Sequence, residues 1–196
     1  MYFVEHNFYH VYNRGNNRQK IFFTPDNYLY FLEKVRKHIQ PHCSILAYCL
    51  MPNHFHFLLY ANSQTMVMNK VAGKEVNILS EGVRHLLSSY SQGINKQEDR
   101  TGSLFTQNTN AKLLLTNNQY NLPRTCFHYI HQNPMKANLV KRMEDWKYSS
   151  FSDYAGLRNG TLCDKANAVE LLDISLAKFI EDSYAVIPDS DSENIW

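Results

Sequence analysis

The chain is predicted to be an α+β protein, a ferredoxin-like split β-α-β antiparallel sheet with additional carboxyl-terminal helices. Three observations lead there. Stretches of two-residue hydrophobic alternation and stretches of three- to four-residue spacing follow one another in the order strand, helix, strand, strand, helix, strand, then helices. A Pro-Asn pair separates two β-rich runs. The 196 residues, 44% hydrophobic, are enough to bury one core.

Phe8 to Arg14 alternates aromatic or β-branched residues with polar ones and stops at Gly15, which reads as a strand and a turn, followed by a polar, basic loop through Arg18. Pro25-Asp26 opens a helix to about Gln40, with Tyr28, Phe31, Leu32, Val35 and Ile39 on one face. Cys43 to Met51 and His54 to Ala61 form a hairpin about Pro52-Asn53, and 62 to 78 reads as an irregular connection. Leu79 to Lys96 returns to helical spacing, and a last strand is expected at Lys112 to Thr116. Asn121 caps a helix that Pro134 should interrupt, with a shorter helix at Met135 to Val140. Ala166 to Val186 allows one or two helices, and Pro188 to Glu193 is acidic and expected to be mobile. Such a sheet is expected to have one helix-covered face and one face open to a substrate. The division is a body at 1–154 and an acidic, partly helical extension at 155–196.

The formal charge of +2 hides a split. Residues 1–142 carry sixteen Lys/Arg against seven Asp/Glu, and 143–196 carry four against eleven. A basic body suits a polyanion such as nucleic acid, and the acidic end is a candidate cover for it, an idea that unchanged DNA affinity after truncation would dismiss. No charged-then-apolar leader opens the sequence, and the longest apolar run, Ile45 to Met51, is far too short for a membrane span, so a cytoplasmic protein with no membrane partner is expected. Four scattered cysteines without a C-x-x-C pair argue against a zinc ribbon or a secreted disulfide framework.

On a strand, alternate residues share a face, so His54 and His56 project together. Two neutral imidazoles on a rigid strand can hold one divalent ion in an open site, where the ion is able to polarise a phosphate oxygen. Taken alone, the H-x-H pair reads first as two ordinary surface or cleft histidines, and the signal is weak. Among thirteen tyrosines, Tyr129 stands out by place, with Asn133 one helical turn on and Arg124 and Lys136 nearby. By itself it reads first as a helix residue packed against the sheet.

Ordered motifs add to this: His10-Val-Tyr-Asn-Arg-Gly15, Tyr48-Cys-Leu-Met-Pro-Asn-His-Phe-His56, Gly102-Ser-Leu-Phe105, Tyr129-Ile-His-Gln-Asn-Pro-Met-Lys-Ala137 and Trp146-Lys-Tyr-Ser-Ser150. Over residues 8 to 154 the chain resembles the HUH single-tyrosine transposases of the insertion-sequence-200-like class, in particular the REP-associated tyrosine transposases. The resemblance implies a metal-dependent enzyme that cleaves single-stranded, hairpin-containing DNA and transfers strands through a 5′-phosphotyrosine intermediate. Tyr129 would be the nucleophile, His54, His56 and Asn133 the ligands of Mg2+ or Mn2+, and no nucleotide cofactor would be needed. Arg14, Arg18, Lys112, Arg124 and Lys136 would contact DNA phosphates. Relatives include swapped homodimers as well as monomers. Tyr120 keeps a two-tyrosine chemistry in view, and Thr106-Gln-Asn-Thr-Asn110 departs from relatives that carry a basic residue there. Two other readings compete: a catalytically idle DNA- or RNA-binding module of the same fold, and a metal-dependent phosphodiesterase in which His128 or His131 joins the ligands and water attacks.

Overall fold

The computed structural model describes residues 1–116, 121–188 and 195. Strand β1 (Phe8–Arg14) lies between β3 (His54–Tyr60) and β6 (Asn110–Leu114), and β2 (Ser44–Met51) pairs with the far side of β3. The resulting sheet, in order β2-β3-β1-β6, is antiparallel throughout and has the ferredoxin-like arrangement. Helix α1 (Pro25–His38) follows β1, and α2 (Ile78–Gln97) precedes β6.

Both helices lie on the sheet face that carries Phe55 and Phe57, where Phe31 of α1 sits 5.3 Å from the Phe55 ring. Their starts are set by sequence. The Asn27 side chain accepts the backbone N–H groups of Phe23 and Thr24, and Pro25 occupies a first-turn position where its missing N–H costs nothing. Asn77 caps α2 by accepting from Leu79 N–H. The two helices approach closely because residue 82 is glycine: a Cβ there would stand 2.0 Å from the His38 carbonyl oxygen.

The segment expected to be irregular holds a small hairpin, β4 (Met68–Val71) and β5 (Lys74–Asn77). Its turn uses Ala72 and Gly73, both at positive φ (50° and 80°). The alanine in a left-handed position and the lack of alternation in strands of four residues hid it. Strand β6 begins two residues earlier than the sequence indicated, because its register is dictated by pairing with β1 rather than by its own apolar run.

Helix α3 (Leu122–Lys136) is not broken at Pro134. Proline removes one backbone donor, but only Met135 and Lys136 remain to be carried, and Ala137 and Leu139 N–H close the end on the Asn133 and Pro134 carbonyls. Residues 137–140, expected to complete a further helix from Met135 to Val140, instead turn away with Asn138 at φ 55°. The second sheet face is open only in part, since α3 packs across β2 and β3 while a cavity lined by Tyr12, Arg14, His54, His56 and Asn110 remains on it.

After α3, residues 148–150 run along the outer edge of β2, with Leu50 N–H on the Tyr148 carbonyl, Ser150 N–H on the Tyr48 carbonyl and the Trp146 indole on the Leu50 carbonyl. This covers a sheet edge that would otherwise be exposed for pairing. The Trp-Lys-Tyr-Ser-Ser motif thus has a structural task. Helices α4 (Phe151–Tyr154), α5 (Lys165–Leu172) and α6 (Phe179–Tyr184) complete the chain. Phe179 is fully buried between Phe127, His131, Phe151 and Tyr154, so part of the acidic extension is core. Of the acidic stretch at Pro188 to Glu193, all but Pro188 lies outside the described residues, as does Tyr120. All four cysteines are buried and free, and among the described residues no helix is long and apolar enough to cross a membrane.

The 155–196 segment is also tied to the body by Arg158. Its Nε and Nη2 grip the buried Asp153 carboxylate at 2.6 and 2.8 Å, and it donates to the Ser149 and Lys147 carbonyls and the Tyr48 hydroxyl. Asp153→Ala should lower stability by about 3 kcal/mol, the low end for breaking a buried pair because Arg158 still reaches solvent. Urea unfolding measures this, and a midpoint equal to the parent would show the pair to be dispensable.

Candidate active site

The register places one set of side chains together. Arg14 lies opposite His54, Tyr12 opposite His56 and Asn110, and His10 opposite Lys112. Because the side-chain period of a strand is two, all of these share the face away from α1 and α2. A cavity of about 540 Å³ opens there, lined by Tyr12, Arg14, Arg18, His54 and His56 and by amide and hydroxyl groups of Asn13, Asn53, Thr106, Gln107, Asn108 and Asn110.

Local sequence builds this wall. Gly15 is required by space rather than by torsion, since a Cβ would meet the Gln19 carbonyl oxygen at 2.1 Å. Its N–H donates to the Asn53 carbonyl, fixing the Pro52-Asn53 turn against the end of β1. The Gly102-Ser-Leu-Phe105 stretch pairs with the same end, as Asn16 N–H reaches the Leu104 carbonyl and Thr106 N–H the Arg14 carbonyl. Asn13 then holds the 106–109 segment through Thr106 and Thr109.

The two histidine rings are 4.9 Å apart and nearly perpendicular. His54 Nδ1 lies 2.6 Å from Asn53 Oδ1, and His56 Nδ1 lies 2.9 Å from His10 Nε2. With both Nδ1 atoms engaged, each ring would meet an ion through Nε2. Burial first, and Arg14 second, lowers the His54 pKa to about 4. Burial, then His10 and His54, holds His56 well below its usual value. Neutral imidazoles are what a divalent ion requires, so the donor set fits one. Among the described residues no group of three or more His, Cys, Asp or Glu side chains is arranged to hold an ion, so a further ligand from these residues would be an amide or a hydroxyl, with substrate or water beside it.

Tyr129 on α3 brings its ring to 6.2 Å from the His56 ring and 6.4 Å from that of His10, edge-on to both. The Lys136 ammonium stands 5.4 Å from the Tyr129 ring centroid. Asn133 is on the same helix face one turn on, but its Nδ2 donates to the Tyr129 carbonyl, which leaves Oδ1 as its one donor atom for an ion. Arg14 and Arg18 line the cavity, and Lys112 shares the His10 face. Arg124 is directed elsewhere, to Asp182 at 3.4 Å and Asp173 at 3.8 Å in the acidic extension.

His128 and His131 are on the side of α3 that meets α6 and the 146–150 segment. His128 Nδ1 is 3.0 Å from Ser183 Oγ, and His131 Nε2 is 2.7 Å from Ser150 Oγ. Burial pushes His128 down to about 4 and His131 well below the normal range. Sequence reasoning did not single out His10 or Asn53, the two side chains that hold the imidazoles. Strand parity allows His10 onto the His54–His56 face, but only the pairing register shows which residues adjoin.

The chain thus joins a ferredoxin-like sheet to paired histidines on a central strand and a tyrosine on the covering helix. A model described as "Transposase IS200 like" matches residues 3–108, and the chain belongs to that family. The match takes in Arg14, Arg18, His54 and His56 and ends before Lys112 and Tyr129. Among solved structures, the chain is similar to a REP-associated tyrosine transposase bound to a REP hairpin, with a TM-score of 0.58 and 17% identity over 84% of this chain and 92% of that one. No curated protein matches the sequence.

Proposed function

We propose that this protein is a metal-dependent single-strand DNA endonuclease and strand-transferase in which Tyr129 attacks a phosphodiester. The observation that carries this reading is the approach of the Tyr129 ring to within 6.2 Å of His56, beside a cavity that also holds His54 and two arginines. His54 and His56, with Asn133 Oδ1 as a third donor, would hold Mg2+ or Mn2+. When bound, the ion would draw charge from a non-bridging phosphate oxygen and make the phosphorus more electrophilic.

The Tyr129 oxygen forms a bond to phosphorus as the bond to the 3′ oxygen breaks. The phenolic proton is balanced by the one that the departing 3′-hydroxyl gains, and a 5′-phosphotyrosine remains. The Lys136 charge favours negative charge developing on the phenol. Arg14, Arg18 and Lys112 suit the DNA backbone, while the amide wall from Thr106 to Asn110 offers hydrogen bonds in place of positive charge. Arg124, already paired with Asp182, is the weakest member of the phosphate-contact set. A hairpin-bearing single strand as substrate is supported by the structural relative bound to a REP hairpin. Action in the cytoplasm is in keeping with a DNA substrate, and the resemblance is compatible with either a swapped homodimer or a monomer.

The phosphodiesterase alternative loses ground, because His128 and His131 face Ser183 and Ser150 rather than lining the cavity. The test is a denaturing gel of full-length protein with single-stranded hairpin DNA labelled downstream of the cut, with Mn2+, with Mg2+ and with chelator. A metal-dependent, protease-sensitive adduct is expected. Tight hairpin binding with no cleavage under any of these conditions would overturn the enzymatic reading in favour of a binding module.

A further inference from the structure

We propose that His10 is a positioning residue for His56, fixing which nitrogen of that imidazole carries the proton and so presenting the other to the ion. This rests on the reading of His56 as an ion ligand.

A backbone carbonyl accepts a hydrogen bond and cannot donate one. The Ile195 backbone carbonyl lies 2.9 Å from His10 Nδ1, so the His10 proton resides on Nδ1. A neutral imidazole has one N–H, which makes His10 Nε2 an acceptor. The atom 2.9 Å from it is His56 Nδ1, and that contact is a hydrogen bond only if His56 Nδ1 is the donor. His56 then has its lone pair on Nε2. The chain Ile195 carbonyl, His10, His56 therefore admits one neutral tautomer at each ring.

Position strengthens the case. His10 and His56 are both fully buried and their ring planes are 19° apart at 5.0 Å, so neither ring is able to turn over without losing the contact. His10 occupies the middle of a central strand, where the backbone is held on both sides by β3 and β6. His54 is provided for in the same sense by Asn53 Oδ1, which accepts from its Nδ1. Metal-binding histidines that donate their second N–H to a fixed acceptor gain basicity and orientation, and losing that acceptor weakens metal binding by about 10- to 100-fold.

Two substitutions separate this role from packing. In His10→Gln the side-chain oxygen is able to accept from His56 Nδ1 while the amide nitrogen donates to Ile195. In His10→Phe the ring volume stays and both hydrogen bonds go. Mn2+ titration of the full chain by calorimetry should show affinity weakened about 10- to 100-fold in His10→Phe and close to parental in His10→Gln. Nitrogen-15 NMR of the metal-free parent should find the His56 proton on Nδ1. Parental Mn2+ affinity in His10→Phe, or a His56 proton on Nε2 in the parent, overturns the proposal. If His10→Phe does not fold, the NMR result on the parent decides. His56→Ala in the same titration tests the underlying reading: unchanged Mn2+ binding there removes His56 as a ligand, whereas loss there with none in His10→Phe removes only the role of His10.

Discussion

Tyr129→Phe is expected to eliminate the covalent protein–DNA adduct, slowing its formation by at least about a thousandfold, as removal of a nucleophile does. The substitution deletes one oxygen and keeps the ring. The ring is what packs edge-on to His10 and His56 and sits beneath Lys136, so the fold and hairpin affinity should change little. Three outcomes of the adduct assay can be told apart. Loss of adduct and of cleavage together supports attack by Tyr129. Loss of adduct with persistent cleavage would mean that water attacks, and the phosphodiesterase reading would take its place. An adduct that survives would require another tyrosine, and Tyr12, which lines the cavity opposite His56, would be the next to replace.

What the sequence revealed followed from local rules. Strand parity put His54 and His56 on one face, and the three- to four-residue spacing placed Asn133 on the Tyr129 face of its helix; neither inference needs tertiary information. Long-range partners were beyond it. Arg124 looks like a free cation beside Tyr129 until Asp182, 58 residues away, is seen to hold it. His10 looks like one more strand histidine until β1 and β3 are paired, and its Ile195 partner is 185 residues off. The charge split pointed to an acidic segment near a basic cleft. In the structure two of its carboxylates meet Arg124, and Ile195 is buried on His10 at the edge of the site. The helix through Pro134 was misjudged because a local preference against helix before proline was outweighed by burial of Asn133 and Pro134.

The same buried histidines make the protein acid-sensitive. Burial lowers His10 and His128 to about 4 and holds His56 and His131 well below their usual value. In the unfolded chain each returns to about 6.5. Above that pH both states are neutral and these groups contribute no pH dependence. As pH falls below it, the unfolded chain takes up protons that the folded chain refuses, and each group removes up to about 1.4 kcal/mol of stability per pH unit until its folded pKa is reached. By pH 5 that is about 2 kcal/mol for each of His10 and His128, with His56 and His131 acting in the same direction, an appreciable part of the roughly 5–15 kcal/mol that holds a domain folded. Urea unfolding followed by circular dichroism should therefore show stability falling steeply between pH 6.5 and 5, and a flat profile over that range would show that these histidines are not buried as neutral groups. A divalent ion on His54 and His56 would steepen the dependence, since protons compete with it for those rings. His128 and His131, hydrogen-bonded to Ser183 and Ser150 rather than lining the cavity, should keep their part of the slope when His54 and His56 are both replaced by alanine.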